Sequence, residues 1–193
     1  MAETAGRGAS GYARVSKREV YRNRWIAVEA HAIVHPSGAH GEHVLIDCPP
    51  PSAVLVDDDG DLLFTRQARF AIAAEAIEIV KGGAEPGEDA LACAKRELRE
   101  ELGVLARSWE PLGVLYEIPS IVAQPVSLFL ASDIEHVVDE QEDVERIELV
   151  RVPAAEALAA AGAGKINDAV TIAALFRYDQ LLRQRSSASV SSS

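Results

Sequence analysis

The sequence predicts an α+β fold: a mixed β-sheet sandwiched between helices, with an N-terminal antiparallel β-hairpin extension. Three observations point there. Short apolar runs of strand character recur along the chain with only a few helical segments between them, which suits a mixed sheet better than an all-parallel doubly wound one. The stretch WIAVEAHAIV (25–34) alternates, HPSGAHG (35–41) supplies turn residues, and EHVLIDC (42–48) returns as a strand. With 48% apolar residues in 193, the chain can also close one sizeable core.

In chain order, residues 1–17 are small and polar and predict a flexible N-terminus. The hairpin extension occupies 18–50 and the main domain 51–184. In SAVLVDDDGDLLFTRQAR (52–69) two apolar runs meet at Asp57 to Gly60, where an Asp-Gly pair supplies the positive φ of a tight hairpin turn. A calcium loop is disfavoured because the glutamate that should close it is absent. EAIEIV (75–80) reads as one strand running into Gly82 and Gly83, and a helix follows over roughly 88–102, entered by Pro86-Gly87 and ended by Gly103. Strands are expected near 111–118, 125–131 and 144–152. PAAEALAAAG (153–162) and DAVTIAALFRYDQLLRQR (168–185) have helical period, with Pro153 and Asp168 at their starts. The tail RSSASVSSS (185–193) has too little apolar surface to offset ordering entropy and is expected to be disordered.

Composition excludes several function classes. A formal charge of −11 leaves no basic patch for phosphate neutralisation, so no nucleic-acid partner is expected. Cys48 and Cys93 are too few for a disulfide framework or a zinc site and read as buried thiols. No apolar run reaches the roughly 18 residues of a membrane span, and the polar N-terminus lacks a signal peptide's apolar middle. The expectation is a cytoplasmic protein with no membrane partner.

The chemistry concentrates in GGAEPGEDALACAKRELREELGV (82–104). Leu91, Leu98 and Leu102 share one side of the helix and can pin it to a sheet. Glu97, Glu100 and Glu101, at i, i+3 and i+4, crowd an adjacent arc, although like charges at that spacing destabilise a helix. Their repulsion turns to attraction around a hard divalent cation, which takes oxygen ligands together with substrate phosphates. Gly82-Gly83 lets backbone approach these carboxylates closely.

Gly82, five residues, Glu88, seven residues, then Arg96-Glu97-Leu98-Arg99-Glu100-Glu101-Leu102-Gly103-Val104 resembles, at every fixed position, the signature of the Nudix hydrolases. From average residue usage, a random match in a chain this long has a probability on the order of 10⁻⁷. The resemblance implies hydrolysis of nucleoside diphosphates linked to another moiety, with Mg²⁺ or Mn²⁺ as cofactor. It implies Glu97, Glu100 and Glu101 as metal ligands, the backbone carbonyl of Lys81 as a further one, and Arg96 and Glu88 as an orienting pair.

Outside the signature, RWIAVEAHAIVHPSGAHGEHVLI, TRQARF and KINDAVTIAALFRYDQLL resemble segments of the ADP-ribose or ADP-sugar pyrophosphatase branch, as does Pro119, fifteen residues after Val104. The likeness spans about residues 18–184. It implies Arg69 as a diphosphate contact, Trp25 as an aromatic stacking on adenine across a dimer, and a homodimer; the alternative for Trp25 is a hairpin core residue. The general base is expected on the acidic loop VVDEQEDVERIEL (137–149), as Glu140 or Glu142. Gln124 stands near the position of a glutamate usual in that branch, a departure from its pattern, and Lys81 before Gly82, where the branch usually has alanine, looks more like the ADP-compound hydrolases that accept ADP-ribose, dinucleoside polyphosphates and NADH. A nucleotide-sensing member without catalysis would be marked by a decayed signature, and this one is intact.

Overall fold

The computed structural model describes residues 10–137 and 147–190. The chain divides into two units: residues 1–49 with 116–125, and residues 50–115 with 126–193. Each is built by its own strand pairing.

The smaller unit is an antiparallel sheet of β1 (Ala13–Arg22), β2 (Ala27–Val34) and β3 (His40–Asp47), with β2 in the middle. The expected hairpin is β2 and β3, paired in register from Ala27↔Asp47 to Val34↔His40. A third strand adds to it. Residues 13–17, expected to be flexible, belong to β1, which is bulged in two places against β2. Nearly every β1 residue is exposed, so the strand carries no apolar alternation by which to recognise it. It is held by ladder bonds and by pairs such as Lys17 Nζ to Glu29 at 2.6 Å.

The larger unit holds a seven-stranded mixed sheet. β4 (Pro51–Asp58) and β5 (Asp61–Arg69) form a hairpin whose turn, Asp59 at φ 53° and Gly60 at φ 92°, has the positive dihedrals expected of Asp-Gly. The aspartates of that turn serve the fold: Asp57 accepts from Tyr178 Oη at 2.8 Å, and Arg151 bridges Asp58 and Asp61. After a short 3-10 turn, the expected strand 75–80 is two strands, β6 (Ala74–Glu78) on β5 and β7 (Val80–Gly83) on β4. The chain changes partner at Ile79, whose N–H is taken by Thr171 Oγ1 at 3.0 Å.

β8 (Val104–Leu115) follows α1 (Ala90–Leu102) directly and begins earlier than the sequence suggests. It pairs antiparallel with β9 (Val126–His136), and β9 runs parallel to β4. β10 (Glu148–Pro153) closes the far edge on β5 and leads to α2 (Ala154–Gly162) and α3 (Ala169–Val190).

Alternate residues of the central strands point to opposite faces. Ala53, Leu55, Leu62 and Phe64 pack with Ala157, Val170, Ala174 and Leu175 of α2 and α3. Val54, Val56 and Leu63 pack with Ala94, Leu98 and Leu102 of α1. The sheet is thus sandwiched, as expected. One terminal expectation fails: α3 runs through Val190 into the serine-rich tail, and Ser186 and Ser187 donate back to the carbonyls of Leu182 and Gln184.

Candidate functional site

The site is organised by both ends of α1. Asp89 caps the helix by accepting from Ala92 N–H at 2.8 Å, and Gly103, at φ 60°, ends it with its N–H on Arg99 O. Upstream, Glu85 and Glu88 close the Pro86-Gly87 turn by N–H(88) to O(85) at 3.0 Å and N–H(85) to the Glu88 carboxylate at 2.9 Å. These bonds orient Glu88 toward the helix.

Arg96 is the hub. Its Nε and Nη2 donate to the two oxygens of Glu88, each at 3.0 Å, in the forked geometry that matches guanidinium to carboxylate. Nη1 donates to Glu97 at 2.8 Å and Glu100 at 2.9 Å, and Nη2 also reaches the carbonyl of Gly83 at 2.9 Å. Three carboxylates predicted to surround this helix are therefore gathered on one guanidinium, while Glu101, one turn on from Glu97, is half-buried.

β7 approaches this cluster more closely than any side chain would allow. A Cβ built on Gly82 would lie 1.9 Å from Cδ of Glu97, so any larger residue would push that carboxylate aside, at a residue whose φ is not positive. Beneath it the buried Cys93 thiol faces Gly82 O. Burial pushes the Glu97 carboxyl up, and Glu100 and Glu88 add to this while Arg96 opposes it. The Arg96 guanidinium is held firmly charged, chiefly by Glu88.

Among the described residues, no group of three His, Cys, Asp or Glu side chains stands together as a ready metal cage. Arg96 Nη1 bridges Glu97 and Glu100 instead. The donor chemistry nonetheless fits a hard divalent cation: Glu97, Glu100 and Glu101 offer only oxygens, and the cradle at Gly82 leaves backbone carbonyls beside them.

Arg69, at the end of β5, is paired through both Nε and Nη2 with Glu78 at 2.9 and 2.7 Å. Trp25 is 62% exposed, with the Arg24 guanidinium 4.4 Å above its ring, so it is not a hairpin core residue. Pro119 is exposed in a turn where Ile121 and Val122 N–H donate to Ile118 O at 3.0 and 2.8 Å. Gln124 donates to Asp47. Glu140 and Glu142 lie outside the described residues. The side chains of Glu78 and Lys81 were not foreseen: Lys81 Nζ lies 3.0 Å from Asp168 and 3.3 Å from Glu78. Only the register of β5 on β6, formed after an irregular turn, brings Glu78 to Arg69.

Comparison with known proteins agrees with this geometry. The NUDIX domain profile matches residues 49–175, and that of the nucleoside diphosphate sugar hydrolase N-terminal domain matches residues 14–44. The chain belongs to the Nudix family and is a Nudix pyrophosphohydrolase. It is similar to the ADP-ribose pyrophosphatase of Bacillus subtilis (strain 168), 27% identical over 170 residues covering 86% of this chain and 91% of that protein. It is also similar to the ADP compounds hydrolase NudE of Escherichia coli (strain K12), 27% identical over 168 residues covering 85% and 89%. A crystal structure of an ADP compounds hydrolase shares the fold, with a TM-score of 0.78 at 24% identity over 89% of this chain and 94% of that one. Nudix hydrolases use divalent metal ions, and among the described residues no helix is long and apolar enough to cross a membrane.

Proposed function

We propose that this protein hydrolyses the pyrophosphate bond of ADP-ribose or a closely related ADP-linked compound, releasing AMP and a phosphorylated partner, with Mg²⁺ or Mn²⁺ as the cofactor. The observation that carries the reading is the α1 carboxylate cluster gathered round Arg96 beside Gly82, where a hard cation and a diphosphate would be welcome. The names of the relatives support the ADP-linked substrate class.

Glu97, Glu100 and Glu101, with the carbonyl of Lys81, would hold the metal. Bound there, a divalent cation neutralises diphosphate charge and lowers the pKa of the attacking water. Arg96 and Glu88 keep the carboxylates in register, because removing either leaves the other's charge half-buried. Arg69 meets the diphosphate, Trp25 stacks on the adenine, and Pro119 is a further substrate-binding residue. Glu140, or else Glu142, takes the proton from water. The water oxygen bonds to phosphorus as the bridging oxygen departs, so ADP-ribose gives AMP and ribose 5-phosphate.

Exposed Val15, Val20 and Tyr21 on β1 support a homodimer through the N-terminal sheet. The two free cysteines support a reducing compartment, the cytoplasm.

Lys81, in the position resembling ADP-compound hydrolases, favours a second reading with a wider range that includes NADH and diadenosine polyphosphates. Incubation of the purified protein and Mg²⁺ or Mn²⁺ with ADP-ribose, ADP-glucose, NADH and diadenosine polyphosphates, with product identification, tests both. AMP from ADP-ribose or ADP-glucose supports the first reading, and AMP from NADH or diadenosine polyphosphates as well supports the second. All four compounds left intact would overturn both.

A further inference from the structure

We propose that Lys81 and Asp168 are positioning residues that hold the Arg69 guanidinium for the substrate diphosphate, through an unbroken run of hydrogen bonds and ion pairs from the first turn of α3 to the end of β5. The proposal rests on the reading of Arg69 as a diphosphate contact.

The run begins at Asp168, the cap of α3. Its carbonyl accepts the first helical bond from Ile172 N–H at 3.0 Å. Its Oδ2 accepts from Thr171 N–H at 2.8 Å and Thr171 Oγ1 at 2.7 Å. The other carboxylate oxygen takes Lys81 Nζ at 3.0 Å, and the same ammonium lies 3.3 Å from Glu78 Oε2. Glu78 in turn accepts from Arg69 through both oxygens. Thr171 Oγ1 closes the loop by accepting from Ile79 N–H at 3.0 Å, next to Glu78 along the chain.

Charge and burial decide what each member does. Glu78 is only 5% exposed and Asp168 16%, so two desolvated carboxylates face the same space. They would repel strongly were Lys81 not between them. Burial pushes each carboxyl up, yet both are held below the ordinary range: Glu78 by Arg69 and Lys81, Asp168 by Lys81 and Thr171. With Glu78 pinned from behind, its fork fixes the plane of the Arg69 guanidinium, because bidentate pairing allows one orientation. Arg69 keeps 39% of its side chain open to solvent, so an anion can still reach it. A lysine at residue 81 and an acidic cap at residue 168 therefore act on the substrate at one remove.

Asp168→Asn tests this without removing the cap, since asparagine caps helices as well as aspartate. KM for the ADP-linked substrate should rise about fivefold while kcat stays within about twofold. In an Arg69→Gln background the same change should alter KM by less than about 1.5-fold, because residues acting through one group are not additive. A second readout is independent of turnover. In ¹⁵N-labelled protein, the Arg69 Nε–H resonance, identified by its loss in Arg69→Lys, should be shifted or broadened in both Asp168→Asn and Lys81→Met.

A KM unchanged in Asp168→Asn, or a KM effect that persists without Arg69, overturns the positioning role. Wild-type protein inactive on every ADP-linked compound overturns the functional reading instead. The resonance then decides the positioning alone: displaced in both variants it stands, and unmoved in either it fails.

Discussion

Gly82→Ala isolates the closest contact in the site. The added Cβ would fall 1.9 Å from Cδ of Glu97 and 2.0 and 2.2 Å from its oxygens, where ordinary contact begins at 3.4 Å. The carboxylate must retreat by the difference, 3.4 − 1.9, or 1.5 Å. That suffices to break its 2.8 Å bond to Arg96. Because the obstructed group is the end of a flexible side chain, it can swing aside, and stability should fall by no more than the loss of one charge-assisted hydrogen bond, about 1.5–3 kcal/mol. At this chain length that lowers Tm by about 3–12 °C. Activity should suffer far more, since misplacing a group by about 1 Å costs about a hundredfold. Steady-state kinetics on ADP-ribose at saturating Mg²⁺, beside thermal melts followed by circular dichroism, measures both. Gly162→Ala, where an added Cβ meets nothing within 4 Å, is the control. A Gly82→Ala enzyme whose kcat/KM lies within about threefold of wild type would refute the reasoning.

Arg96→Lys keeps one charge but cannot serve Glu88 twice, Glu97, Glu100 and the Gly83 carbonyl together; urea denaturation should show a loss of about 2–4 kcal/mol. Trp25→Ala should raise KM about tenfold, by loss of stacking, and leave Tm unchanged, because the indole is exposed; a shifted Tm with unchanged KM would make it structural. Burial, with Asp57 adding to it, raises the Tyr178 hydroxyl above its ordinary value. A raised folded value stabilises fully below the unfolded value of about 10 and is lost as pH rises through the folded one. Tyr178→Phe should therefore cost about 1 kcal/mol at neutral pH, with the gap to wild type closing above about pH 10. Urea titrations from neutral to alkaline pH check this, and a constant gap would contradict it.

What could be read in advance was local. Asp59-Gly60 carries its turn in its own dihedral preferences, and Pro86-Gly87 and Gly103 bracket α1 by the same kind of rule. The arc of Glu97, Glu100 and Glu101 and the close approach at Gly82 follow from helix period and the missing Cβ. Illegible features depended on distant residues. The break between β6 and β7 at Ile79 is set by a hydroxyl 92 residues away, and β1 is a strand through pairing with β2, since its side chains are nearly all exposed. Arg69 was legible as a cation, but its partner Glu78 emerged only with the register of β5 on β6. The Lys81 side chain meets its partner Asp168 only through tertiary contact, 87 residues along the chain.

Hydrolysis at this site requires the α1 carboxylates to take up a divalent cation. Electron paramagnetic resonance of Mn²⁺ titrated into the protein with a non-hydrolysable ADP-ribose analogue measures this directly. Wild-type protein should remove the free-ion signal stoichiometrically, and Glu97→Gln and Glu101→Gln should weaken uptake at least about tenfold, as loss of a charged ligand requires. A free-ion signal undiminished by wild-type protein, or uptake by the two variants as tight as that of wild type, would contradict the central claim.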